Sequence, residues 1–73
     1  MHVTYDPYAD AAYLALKHPI GDGEAVRRQV VPLRGADMVL DFDDKDVLLG
    51  IEIIGAGAVL PDGLLRAALP PGR

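Results

Sequence analysis

Cysteine is absent from the 73-residue chain, which excludes disulfides and, with them, thiolate-rich zinc sites. Basic residues are scarce. Seven Lys or Arg stand against eleven Asp or Glu, for a net charge of −4. That balance favours solubility and opposes attraction to phosphate backbones or anionic lipid, so nucleic acid is not an expected partner. Long apolar runs are missing too, since none approaches the roughly 20 residues a transmembrane helix needs. The opening Met1-His2-Val3-Thr4-Tyr5-Asp6 lacks the basic-then-apolar order of a signal peptide. The expected compartment is the cytoplasm, with no membrane contact.

What remains is a single small domain, residues 1–73, rich in apolar side chains. A domain of this size buries only about 60% of the surface its unfolded chain exposes, so its own core is marginal. Small scaffolds compensate with disulfides, a structural metal or oligomerisation. The apolar share is 51%, above the usual range of about 45–50%. Burial against a second chain is the expected use of that surplus.

Periodicity supplies the architecture. Residues 2–5 form a short β-branched and aromatic run stopped by Asp6-Pro7, a turn-initiating pair. Residues 11–17 alternate, with Ala12, Leu14 and Leu16 opposite Tyr13, Ala15 and Lys17, and their brevity favours strand over helix. Residues 25–33 make a third run, and Pro32 within it implies a sheet edge or a bulge. The strongest signal spans residues 38–54. Met38, Leu40 and Phe42 share one side opposite Val39, Asp41 and Asp43, and an acidic turn at 43–46 leads into Val47, Leu49, Ile51 and Ile53 opposite Leu48, Gly50, Glu52 and Ile54. This reads as a hairpin whose core is Leu40, Phe42, Leu49, Ile51 and Ile53. Gly55-Ala56-Gly57-Ala58-Val59 offers little to pack and reads as a connector. Residues 61–69 form a short helix, opened by Pro61-Asp62 and closed before Pro70-Pro71. The expected fold is α+β: an antiparallel β-meander of about five strands with one short C-terminal helix.

Tyr5-Asp6-Pro7 with Ala9-Asp10-Ala11 and Tyr13-Leu14, followed by Val39-Leu40-Asp41-Phe42-Asp43 and Leu49-Gly50-Ile51-Glu52-Ile53, resemble the family of small prokaryotic proteins known as domain of unknown function 2283. The likeness covers roughly residues 1–61 and departs at Gly55-Ala56-Gly57, where the family tends to carry more polar residues before a Leu-Pro pair, here Leu60-Pro61. It implies a β-rich domain with a C-terminal helix in a prokaryotic cytoplasm. It also implies no assigned activity, and the likeness of some members to one half of a two-gene module implies an antitoxin-like role beside a small partner protein.

Several constellations invite chemistry. Asp41, Asp43, Asp44 and Asp46 with Glu52 suggest a calcium loop or a metal-dependent hydrolase, the metal candidates being Asp41, Asp43, Asp46 and Glu52. The EF-hand pattern fails, because Lys45 and Asp46 occupy its fifth and sixth places and both flanks alternate as strands. A solvated turn whose carboxylates bind nearby backbone donors explains the same residues. Tyr5, Asp6, Asp10 and Tyr13 can be assembled into an acid–base pair of carboxylates with two phenols, yet turn formation and ordinary packing account for each. His2 and His18 have no partner histidine at ligand spacing. Arg27 and Arg28 point to opposite faces of a strand, and Arg34 completes a weak basic cluster. No cofactor and no catalytic residue are assigned. The function expected is a non-enzymatic protein-interaction module, self-associating as a homodimer with Leu64 and Leu65 at its interface. The alternative is a small metal-dependent or acid–base hydrolase built on the acidic turn.

Overall fold

The computed structural model describes residues 1–72. Its elements are β1 (His2–Asp6), β2 (Ala11–Ala15), β3 (Arg27–Leu33), β4 (Ala36–Phe42), β5 (Leu48–Ile54), a single 3-10 turn (Ala56–Ala58) and α1 (Asp62–Ala67). All strands join one sheet in the order β1-β2-β5-β4-β3, with every neighbouring pair antiparallel. This is the expected α+β architecture. β3, β4 and β5 run as a meander, and the β1–β2 hairpin is added on the free side of β5. Residues 16–26 carry the chain from the end of β2 past the β4–β5 hairpin to the far edge.

Local chemistry sets the turns. Asp6 ends β1 by accepting the backbone N–H groups of Tyr8 at 3.0 Å and Ala9 at 3.4 Å, an Asx turn. Leu33 pairs with Ala36 across a two-residue turn in which Gly35 has φ 82°, backbone that favours glycine. Asp43 accepts from the N–H of Lys45 at 2.8 Å and of Val47 at 2.9 Å. These two donors hold its carboxyl below the usual carboxylate range. In the long connection, Lys17 pairs with Glu24, which also accepts from the Gly21 N–H at 2.8 Å. Glu24 is thereby lowered as well.

Alternation sorts the side chains onto two faces. An apolar face carries the cross-strand rows Tyr5–Ala12–Ile53–Met38–Val31 and Val3–Leu14–Ile51–Leu40–Gln29. A polar face carries Thr4–Tyr13–Glu52–Val39–Val30 and His2–Ala15–Gly50–Asp41–Arg28. The core lies at one end of the apolar face, where Ala12, Ile53 and Ala56 are buried under Val59, Leu60 and Leu65. Leu49 and Ile53 are buried as expected, but Leu40, Phe42 and Ile51 are only partly so. A six-residue helix is too short to roof the whole sheet. In their place Val39 and Asp41, expected on the solvent side, are buried. The glycine-rich connector also packs better than its composition suggests, since it supplies Ala56, which has no exposed surface.

The C-terminal segment returns to the sheet. Leu69 donates its N–H to the Val3 carbonyl at 3.0 Å and accepts from the Tyr5 N–H at 2.9 Å, a short parallel bridge on the outer edge of β1. The opposite edge, β3, has no neighbouring strand among the described residues.

Candidate functional site

The most buried charged group among the described residues is Asp41, with 4% of its surface exposed. It stands on β4 opposite Gly50 of β5 and Arg28 of β3. Its carboxylate accepts the Tyr13 hydroxyl at 2.9 Å and the Arg28 Nε–H at 3.1 Å. Gly50 makes this geometry possible, because a Cβ there would collide with the Tyr13 hydroxyl and lie 2.6 Å from its ring. The phenol therefore lies across the bare glycine to reach a carboxylate one strand further on. Burial, and then the bond to Asp41, push the Tyr13 hydroxyl up to about 12. A phenol so held stays protonated at neutral pH and serves as a donor, not as a general base.

A second pair forms at the other end of the sheet. Tyr5 donates its hydroxyl to Asp10 Oδ1 at 2.7 Å, and the same oxygen accepts the Gly57 N–H at 2.9 Å. The Asp10 carbonyl accepts the N–H groups of Gly55 and Ala56. Asp10 has φ 51°, a left-handed conformation that Asp tolerates better than most residues. The bond to Asp10, with some desolvation, raises the Tyr5 hydroxyl above its ordinary value. This cluster ties the β1–β2 turn to the 3-10 turn. Every hydrogen bond it makes is to a neighbour within the fold, so it reads as a clasp.

The residues considered as an acid–base site are thus divided. Tyr5 joins Asp10, Tyr13 joins Asp41 on the opposite face, and Asp6 caps its own turn. The acidic turn divides likewise. Asp41 is engaged on the polar face, Asp43 binds backbone, Asp46 accepts the Arg27 Nε–H at 3.0 Å, and Asp44 is exposed. Glu52 sits between Tyr13 and Val39 in the polar-face row. Among the described residues no three metal-ligating side chains converge. Arg27 lies over the Phe42 ring, 4.1 Å from its centroid, a cation–π contact on the face opposite Arg28. His2 and His18 stack with centroids 3.7 Å apart and line, with Thr4, Tyr13 and Ile20, an open cleft of about 300 Å³. Leu65 packs inward against the core, and Leu64 lines a shallow cleft beside Met1 and Val3.

Sequence reasoning missed the Tyr13–Asp41–Arg28 network and the stacked histidines. The network joins residues on three strands, and one local mark of it was visible: a glycine amid the β-branched residues of β5, which costs stability unless something packs over it.

No helix among the described residues is long and apolar enough to cross a membrane. Comparison with known families matches residues 2–56 to the family described as Protein of unknown function (DUF2283). Neither the curated proteins nor the solved structures provide a match.

Proposed function

From the premise that the chain belongs to the DUF2283 family, which brings no activity with it, we propose that it is a non-enzymatic protein-interaction module that works as a homodimer. The observation that carries this reading is the shortage of burial. Among the described residues no large side chain is fully buried, while Val26, Val30, Val47 and Leu16 each expose half or more of their surface. The molecule is a slab of 33 × 27 × 18 Å, roofed at one end only. A second copy is the partner that shares the surplus, as two-fold closure lets one patch cover its own counterpart. A small antitoxin-type complex would use the same surplus with a different chain. Leu64 stays an interface candidate at the helix rim, whereas Leu65 already contributes to the intramolecular core.

No observation favours the hydrolase alternative. Its carboxylates are dispersed over a turn, a sheet face and an ion pair, and the two hydroxyl–carboxylate pairs, Tyr13 with Asp41 and Tyr5 with Asp10, lie on opposite faces of the sheet with both phenols held protonated. Light scattering over a dilution series into the low micromolar range tests the module reading. A mass near twice that of the chain, falling on dilution, is expected. A folded monomer at every concentration overturns it.

A further inference from the structure

The two edges of the sheet are not alike. β1 is capped at its middle by the Leu69 bridge, which engages the Tyr5 N–H and the Val3 carbonyl. β3 presents its outer side to solvent along its length, with Val30 61% exposed and Val26, just before the strand, exposed to the same degree. In an antiparallel ladder alternate residues turn their N–H and C=O groups away from the neighbour. The tight Leu33–Ala36 turn places Leu33, Val31 and Gln29 in the set facing β4, so Arg28, Val30 and Pro32 face outward. Pro32, lacking an N–H, sits where its deficit costs β4 nothing.

We infer that a second copy docks on this edge, its β3 antiparallel to the first about a two-fold axis at Val30, so that the two sheets become one. This deepens the homodimer reading and rests on it. The register follows from charge. Centring on Arg28 would set two guanidinium groups face to face, which is unfavourable. Centring on Val30 sets Arg28 opposite Pro32 of the partner subunit and Arg27 opposite Leu33 of the partner subunit. Arg28 then shares a cross-strand row with Asp37 of the partner subunit, which neighbours that proline on β4. Asp37 is exposed, and the flat Pro32 ring is all that separates the opposite charges along the row. The Val30 N–H groups bond each other's carbonyls, and each Arg28 N–H finds the carbonyl of Pro32 of the partner subunit. Pro32 also limits the match to a short stretch, which makes the contact specific rather than a general template for strands.

The cysteine-free chain gives a direct test. In this register the two Val30 Cα atoms lie about 5.5 Å apart, within disulfide reach, while the two Val26 positions are separated by roughly 25 Å or more at 3.4 Å per residue. Oxidised Val30→Cys is expected to become a covalent dimer, and oxidised Val26→Cys, equally exposed, to remain uncrosslinked. Asp37→Arg is expected to weaken the dimer about tenfold by placing like charges in one row. If the wild type is dimeric by light scattering but Val30→Cys does not crosslink, or Leu64→Asp dissociates it and Asp37→Arg does not, the edge is overturned and the homodimer reading stands. If the wild type is monomeric throughout, both fall.

Discussion

At Gly50 a missing side chain lets Tyr13 span the sheet to Asp41, and the cost of filling that space can be stated. Gly50→Ala must lift the ring and strip the buried carboxylate of a donor, which costs about 1–3 kcal/mol. Tyr13→Phe removes the same donor without the steric clash and is expected to lose a similar amount in urea unfolding. If Tyr13→Phe were neutral while Gly50→Ala were costly, the clash and not the hydrogen bond would be responsible. The raised Tyr13 pKa also fixes a direction. Folding favours the neutral phenol, so its contribution is fully present below the ordinary value of 10.0 and is lost as pH climbs towards about 12. Unfolding measured across that interval, with tyrosinate absorbance as the monitor, should show wild-type stability falling more steeply than that of Tyr13→Phe. Asp43 works in the opposite sense. Its lowered carboxyl contributes above its unfolded pKa and ceases to as acid protonates it.

For the elements, burial along β5 ranks the substitutions. Ile53 is buried in the core and Ile51 only partly. Ile53→Ala should therefore cost about 2–5 kcal/mol in denaturant unfolding, and Ile51→Ala clearly less. Equal losses would mean that α1 covers more of the face than its six residues reach. Asp10→Ala should free the 3-10 turn, seen as faster amide exchange at Gly57, the donor to its carboxylate. The strands were legible because alternation is a local property: β5 reads the same in five residues as in seven. The acidic turn was legible for the same reason, since Asp43 satisfies backbone donors two and four residues away. What was not legible depends on neighbours distant in the chain. The placement of β5 between β2 and β4 decides that Tyr13 meets Asp41, and it decides which of two plausible faces at β4 is deeply buried. Alternation defines two faces but does not say which one a short helix leaves open.

The whole molecule is a thin slab that leaves Leu16, Val26, Val30 and Val47 half or more exposed, so under the proposed homodimer its stability should depend on its concentration. A protein whose folded form is held by a second copy melts at higher temperature as it is concentrated. Thermal melts over a hundredfold range, about 2.7 kcal/mol of mass action at most, should move upward together with the dimer fraction. An invariant midpoint would argue for a self-sufficient monomer. The Leu69 bridge has its consequence at this scale. A sheet with both edges free is a bifunctional monomer in the polymer chemist's sense, able to add a copy at each side without end. With Leu69 hydrogen-bonded to Val3 and Tyr5 of β1, the proposed pairing through β3 would leave the chain monofunctional, and growth would stop at two. Deleting residues 68–73 should restore the second functionality and convert a discrete pair into sedimenting, fibre-like polymers.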